Sequence, residues 1–357
     1  IRYGFESQMN DVKSSAHSKN ILTNTETPID TRYADGGSKM NYNALYITHT
    51  SKLNSHFVLN DGLRFNTTKL DAKFKDTSIL HFPFTSASQS NKALTGNLGI
   101  VYLPTENWKI SVMASTGFRA PNVDDLSKVN ESVKGAVIVP NTSLKPEYTY
   151  NLDLGITKII NSNIKLEAVA FYTIMQNLIT TDKSTFNGQS QILYNGVMSD
   201  VYSNVNAQEA YLYGFNAGFE AKMNSLFSIH STLSYTYGRI KTDSTPTPLD
   251  HVAPLSGKTS FDFKCCKNKM NSSFYLIYNG WKHIKDYRLN AEDNESYATP
   301  FGMPSWVTFN IKTSYQVQKN LMLQVGLENI LDTHYRVFAS GISGAGRNFV
   351  VALRANL

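Results

Sequence analysis

The 357 residues are 41% hydrophobic and only 17% charged, with 20 Tyr and 19 Phe against 3 Trp. A chain this apolar and aromatic is not disordered, and a charged share well below the ~25% of ordinary globular domains argues against helical bundles and coiled coils. The net charge of +6 comes from 34 Lys and Arg against 28 Asp and Glu, scattered without a basic block, so it gives no argument for a nucleic-acid partner.

In chain order, period-two alternation predicts about fourteen strands, near 1–9, 40–50, 56–67, 92–103, 107–117, 147–159, 163–175, 206–223, 226–239, 257–266, 269–281, 305–317, 320–330 and 346–357. Residues 148–157 show the pattern: Tyr148, Tyr150, Leu152, Leu154 and Ile156 share one face, and Thr149, Asn151, Asp153, Gly155 and Thr157 the other. Asn, Lys, Asp or Ser interrupts every window long enough for a membrane helix, so any crossing of a membrane is by strands. The connectors alternate: short polar links such as Thr105-Glu106-Asn107, Ile160-Asn161-Ser162, Lys267-Asn268 and Lys319-Asn320 take turns with long ones near 10–39, 68–91, 118–146, 176–205, 240–256, 282–304 and 331–345. Tight turns at one end, long loops at the other and an apolar outside are the requirements of an outer-membrane barrel, whose strands must pair throughout in lipid. The expected fold is all-β: a transmembrane antiparallel up-and-down β-barrel, here a partial one. The aromatics near strand ends, Tyr42 and Tyr46, Trp108 and Phe118, Tyr148 and Tyr150, Tyr235 and Tyr237, Trp306 and Tyr315, read as interfacial girdles. Cys265 and Cys266 are adjacent, and a strand would turn them to opposite faces, which predicts two free thiols. The start, Ile1-Arg2-Tyr3-Gly4-Phe5, shows no signal-peptide pattern and reads as already inside structure.

Several passages carry a family resemblance. Ser115-Thr116-Gly117-Phe118-Arg119-Ala120-Pro121-Asn122, followed by Val139-Pro140-Asn141-Thr142-Ser143-Leu144-Lys145-Pro146-Glu147, resembles the "GFRAPN … NPDLKPE" passage of TonB-dependent outer-membrane receptors. Tyr213-Gly214-Phe215-Asn216-Ala217-Gly218-Phe219-Glu220 is similar to a further strand of that family, and Val325-Gly326-Leu327-Glu328-Asn329-Ile330-Leu331-Asp332 to its penultimate strand end. Tyr335-Arg336 and Ser340-Gly341-Ile342-Ser343-Gly344-Ala345-Gly346-Arg347-Asn348 resemble its closing "YR … G … GRN" strand. The resemblance implies energy-coupled import of a scarce nutrient, with the TonB complex as partner of the full-length protein, outer-membrane lipid and lipopolysaccharide around it, and no covalent chemistry. Family barrels have 22 strands around a plugged lumen. At about 25 residues per strand a whole barrel takes roughly 560 residues, so residues 1–357 read as the C-terminal part, with the plug domain and about eight strands absent. An open, strongly curved sheet is therefore expected. The final Leu357 departs from the aromatic end common in such barrels.

Within the family, the Phe118–Pro121 passage and the ending at Asn348 most resemble the haem and haemoglobin receptors, which implies haem as the transported ligand and no permanently bound cofactor. Ferric siderophore or cobalamin import, a passive porin or structural barrel, and a host-protein adhesin are the alternatives. That group's haem-ligating His is expected between 118 and 147, where this sequence has none. A His on another loop can substitute, because neutral imidazole suits iron. The candidates are His81, in the apolar run Ile79-Leu80-His81-Phe82-Pro83-Phe84, together with His251 and His283. His17 and His334 lie in or near loops as well, while His49, His56 and His230 read as wall or turn residues. Phe118, Arg119, Ala120, Pro121, Asn141 and Tyr287 complete the candidate ligand-binding set, and Tyr297 offers similar chemistry. Arg119 could pair with a ligand carboxylate or a lipopolysaccharide phosphate, although an anchoring role for its loop weighs more. Arg347 reads as a wall-to-loop contact. Enzyme motifs fail: Gly257-Lys258-Thr259 mimics the end of a phosphate loop, but Val252 stands where its first Gly belongs, and neither HExxH nor GxSxG occurs.

Overall fold

The computed structural model describes all residues except Asp30, 76–83, Lys134, Gln208, Asn268, 290–292 and Leu357. Fourteen wall strands run in chain order: β1 Arg2–Val12, β2 Ser38–Lys52, β3 Phe57–Lys73, β4 Ser86–Tyr102, β5 Trp108–Arg119, β6 Glu147–Ile160 and β7 Ile164–Gln176. They continue as β8 Glu209–Lys222, β9 Phe227–Lys241, β10 Ser256–Cys265, β11 Met270–Asn279, β12 Trp306–Gln318, β13 Leu321–Glu328 and β14 Asn348–Ala355. Each pairs antiparallel with its neighbours in sequence, and a short piece, Thr247–Pro248, adds to β9. Among the described residues β1 and β14 each have one neighbour, so the sheet is open, as expected.

Register explains the two faces. Leu98, Ala114, Leu152, Tyr172, Tyr213 and Tyr237 stand opposite one another across β4 to β9. Glu220, His230, Ser260, Tyr275 and Asn310 form a comparable row on the other face from β8 to β12. On the first face Leu98 is 60% exposed, Leu152 53% and Leu353 67%. Apolar exposure repeated on strand after strand far exceeds what a water-facing monomer shows, so this face meets lipid. The link ends of the wall carry ring pairs on that face: Phe57 on Tyr102 at 4.8 Å, Phe227 on Phe263 at 4.9 Å, and Lys158 Nζ 4.4 Å from the centre of Trp108. Polar pairs interrupt the lipid face in places: His49 Nδ1 lies 3.0 Å from Asp61 Oδ1, and the hydroxyls of Ser231 and Thr259 lie 2.8 Å apart and those of Ser272 and Thr313 3.0 Å apart.

The short links are built by local chemistry. Asn54 Oδ1 accepts from the amides of His56 and Phe57, at 2.8 and 2.9 Å, and Asn224 Oδ1 repeats this for Leu226 and Phe227 at the same distances. Asn161 and Ser162 both hold positive φ, 48° and 58°, which gives the mirror-image turn suited to twisted hairpins.

On β2, β3 and β4 the alternation changes meaning near the long loops. A lipid-facing band about 25 Å tall takes roughly ten tilted residues, and β3 and β4 each have 17. Beyond Leu45, Phe65 and Leu94 the outward residues become Asn43, Thr67 and Lys92, then Asn41, Lys69 and Ser90. The inward Ser38, Met40, Ala44, Thr68, Leu70, Ala72, Ala87 and Ala93 are all buried. The wall continues past the bilayer as a sheet with a dry inside and a wet outside.

Two expectations fail here. Tyr42 and Tyr46 lie on the inward face, with the Arg64 guanidinium 5.8 Å from the Tyr46 ring, and Trp306 donates from Nε1 to the Arg336 carbonyl at 3.0 Å within the loops, so none of the three belongs to a girdle. The cysteines do not point apart: Cys266 leaves extended geometry with φ 56°, and its sulfur lies 3.1 Å from that of Cys265.

Candidate ligand-facing crown

The long loops form a crown at one end of the wall, in two parts. The first stands over β2 to β8. Its core joins Met40, Leu70, Ala72 and Ala87 from the wall to Ala120, Val123, Leu126 and Leu144 from the loop between β5 and β6. Helix α1, Val123–Ser127, starts from a reciprocal cap: Asn122 Oδ1 accepts from the Asp125 amide at 3.0 Å, and Asp125 Oδ2 accepts from the Asn122 amide at 2.9 Å. Beside it Ala136–Val139 runs parallel to Val197–Asn206, which also pairs Ile179–Lys183 and Gln191–Tyr194, over a core of Val137, Val139, Ile192, Tyr194 and Val201.

Arg119 fastens this part. It donates to Glu147 through Nε and to Asp125 through Nη1 at 2.7 Å, while Glu147 Oε1 takes the Ile179 amide at 2.6 Å. Ala120 is 5% exposed and Pro121 below 2%, both enclosed beneath the crown. Phe118 turns against Tyr148, ring centres 5.5 Å apart, and also packs on the core. The wall splits at this level: above Asn97 and Ser115 the β4–β5 backbone ladder stops, and the Thr116 hydroxyl takes the Gly96 amide at 2.9 Å instead. Asn141 Nδ2 donates to the Asn204 carbonyl at 2.8 Å while its Oδ1 accepts from the Ser143 amide at 3.0 Å. Asn206 joins the same two loops by accepting from the Lys145 amide at 2.7 Å and donating to its carbonyl at 2.9 Å.

The second part stands over β9 to β14 and is held by charges. Asp293, 1% exposed, accepts the amides of His251 at 2.7 Å and Arg288 at 2.9 Å. Lys282 donates to the Val252 carbonyl at 2.6 Å and lies 4.8 Å from the Phe338 ring, and Arg239 pairs with Asp286. Burial pushes the Lys282 ammonium below its ordinary value. Tyr287 is 4% exposed, edge-on to Phe338, and burial pushes its phenol up. The loop from Asn329 to Arg347 is closed at its root. Asn329 donates to the carbonyls of Thr333 at 2.9 Å and Ala345 at 3.0 Å, Asp332 accepts the Arg347 amide at 2.7 Å, and Arg347 Nε reaches the Ile330 carbonyl at 2.9 Å. Arg347 thus closes the loop on itself, where the sequence reading expects a contact from wall to loop.

Two cavities open inside the crown. One, about 220 Å³, is lined by Tyr297, Trp306, His334, Tyr335 and Arg336. It is smaller than the ~300 Å³ at which whole-ligand pockets begin, so it takes a ring or side chain and not a macrocycle. The other, about 450 Å³, lies against Tyr42, Arg64, Asn66, Thr68 and Arg119. The sequence candidates separate accordingly. Phe118, Arg119, Ala120, Pro121 and Asn141 are brought together as fasteners of the first part. His251 and His283 lie exposed on neighbouring loops of the second, His283 with its ring 5.9 Å from Trp281, and Tyr287 is enclosed beneath them. His81 and its apolar run up to Pro83 lie outside the described residues. Sequence reading missed Arg336 and Trp306 as cavity residues, since only the packing of two distant loops joins them.

The chain is 25% identical over 263 residues to lactoferrin-binding protein A of Neisseria meningitidis serogroup B, covering 68% of this chain and 27% of that protein. It is 22% identical over 364 residues to the hemoglobin and hemoglobin-haptoglobin-binding protein of Haemophilus ducreyi, covering 83% and 36%. Among solved structures, the copper transporter OprC aligns with a TM-score of 0.76 at 14% identity over 99% of this chain and 53% of that one. The Serratia marcescens hemophore receptor HasR, solved with its hemophore HasA and heme, aligns at 0.70 and 13% identity over 99% and 55%. The chain thus spans well under half of these curated relatives and about half of these solved chains. Residues 3–330 match the family described as TonB dependent receptor-like, beta-barrel, and the chain belongs to that family of outer-membrane barrels of Gram-negative bacteria.

Proposed function

We propose that residues 1–357 are the C-terminal share of the barrel of an outer-membrane receptor that imports an iron-bearing ligand by TonB-dependent transport, with haem as the first ligand to test. The observation that carries the reading is the two-faced wall of fourteen strands with its long connections, among the described residues, packed into a crown at one end. A passive pore has no need of so elaborate a crown. A relative named for binding haemoglobin and a similar receptor solved with its hemophore and heme support the ligand, and relatives named for lactoferrin, transferrin or siderophores make protein-bound iron and siderophores its competitors. His251 and His283 are the proposed iron-facing residues. Arg119 and Asn141 hold the rim in shape.

The test is growth of a strain without its own haem and siderophore receptors, carrying the full-length receptor gene, on haem, haemoglobin or a ferric siderophore as sole iron source. Growth on haem that needs TonB supports the reading, and TonB-independent ion conductance in a planar bilayer overturns it in favour of a porin. Haem titration of the purified receptor should give a Soret shift that weakens in His251→Ala or His283→Ala. An unchanged shift in both removes these two residues from the site.

A further inference from the structure

The link between β10 and β11 holds the two cysteines of this sequence side by side, Cys265 as the last residue of β10 and Cys266 as the first beyond it. An extended chain would turn them to opposite faces. Cys266 instead takes φ 56° and Lys267 repeats it at 56°, so the chain reverses at once and the two sulfurs come to 3.1 Å. The link between β6 and β7 makes the same two left-handed steps with Asn161 and Ser162. Asn is several-fold enriched in that conformation and Cys is not, so the backbone gives no reason for Cys266; what the step achieves is the contact between sulfurs. The surroundings favour reaction. Cys265 lies one outward position beyond Phe263, whose ring pairs with Phe227 at the link end of the wall, and Cys266 is exposed. Lys264, Lys267 and Lys269 flank the pair and are exposed, and a positive field favours the thiolate, the form of cysteine that attacks. The short links of such a wall face the periplasm, an oxidising compartment.

We propose that Cys265 and Cys266 are a modification site, closing reversibly into a vicinal disulfide by exchange with the disulfide of a periplasmic dithiol oxidant. The inference takes its compartment from the outer-membrane reading above. The Cys266 thiolate attacks one sulfur of the donor disulfide, and the other donor sulfur leaves as a thiolate. Cys265, deprotonated in its turn, attacks the Cys266 sulfur of that mixed disulfide and expels the second donor thiolate. Two thiols are oxidised and one disulfide is reduced, and the two protons given up by the cysteines end on the donor's thiols. To reach the ~2.05 Å of an S–S bond the sulfurs close by about 1 Å. Adjacent Cα atoms are ~3.8 Å apart, under the ~4.4 Å at which ordinary disulfides begin, so the small ring is strained and reopens readily. The pair therefore toggles and does not staple the wall.

The experiment uses the full-length receptor in whole cells, quenched in acid and alkylated before and after reduction, with the peptide spanning Cys265 and Cys266 read by mass spectrometry. The expected result for most wild-type molecules is a peptide two hydrogens lighter than the dithiol, which takes no alkyl group before reduction and two after it. Purified receptor should be reduced by a glutathione buffer that leaves ordinary structural disulfides intact. Cys265→Ser removes the sulfur that resolves the exchange, so a mixed disulfide on Cys266 should accumulate there several-fold above wild type. Two thiols alkylated before reduction in wild type overturn the proposal. So does a disulfide from either cysteine to another part of the receptor, and so do thiols freed by a metal chelator instead of a reductant, which would make the pair a ligand for a soft metal. A bond that resists the glutathione buffer overturns its reversibility. A receptor absent from the outer-membrane fraction fails the functional reading, whereas one present there with both thiols free fails only this inference.

Discussion

The two halves of the crown reach the same end by opposite means. Over β2 to β8 the loops are held mainly by apolar burial, with Leu126, Val137 and Val201 essentially enclosed, helped by the Arg119 clasp on Glu147 and Asp125 at their root, while Arg32–Asp124 lies at the edge. Over β9 to β14 the apolar clusters are small and the fastening comes from buried polar groups around Asp293 and Lys282. An apolar core excludes water and tolerates little change of shape. A polar network holds only while every member is satisfied, and so gives way in one step when a partner is removed. The exposed His251 and His283 and the aromatic cavity both lie on the polar half.

That contrast can be broken by mutation. The largest effect is expected for Leu126→Ala, which removes a fully buried side chain and should cost the first half about 2–5 kcal/mol. Hydrogen exchange should quicken across 120–146 and stay unchanged across 280–289, and quickening in both would mean the halves form one unit. Next, Asp293→Ala leaves the amides of His251 and Arg288 without their acceptor, at about 1–3 kcal/mol for each buried group left unpaired. Limited proteolysis should then cut within 242–255 while sparing 120–146. Thr116→Val removes the hydroxyl that replaces a backbone bond at the β4–β5 split, an effect of about 0.5–1.5 kcal/mol, read as faster exchange at Gly96.

The gentlest probe is pH, which should strengthen both halves as it rises but in windows at opposite ends of the scale. Burial alone would raise Asp124, but the hydrogen bond from Arg32 and the nearby Lys128 outweigh it and hold the carboxyl below the usual range. Its contribution is complete above the unfolded value near ~4 and is lost as pH falls through the lower folded value. Lys282 is depressed by burial, so the unfolded chain binds the extra proton, and the second half should tighten as pH rises from the folded value towards ~10.4. Exchange measured separately in each half at acid and at alkaline pH checks both windows.

The wall was legible in the sequence because lipid outside and water inside impose one rule on every strand, and each of the fourteen alternating segments corresponds to one wall strand. The rule also explains the misses. At the loop ends of β2 to β4 the outward side turns polar and the inward side apolar, so Ser38–Lys39, residues 68–73 and 86–91 read as loop although they are strand. The crown's short strands obey no membrane pattern, and the pairing that joins their two loops sets residues sixty-four apart side by side, Val201 beside Val137. The motif residues from Phe118 to Pro121 and Asn141 lie together in the fold, but sequence alone gave no means of telling a fastener from a ligand contact. Arg119 acquires its meaning from Glu147 and Asp125, and Cys266 from a positive φ that alternation does not encode.

The unequal lengths of the strands have a consequence for the approach of large molecules. β3 and β4 have 17 residues each and β13 and β14 have 8, and all four start from links at the same end. At ~3.3 Å per residue and ~45° of tilt, the strand-built lip stands about 20 Å higher on one side of the sheet than on the other. The strand-built rim is therefore a slope and not a level ring: a body the size of a folded protein meets its high side first, and a small molecule does not feel the difference.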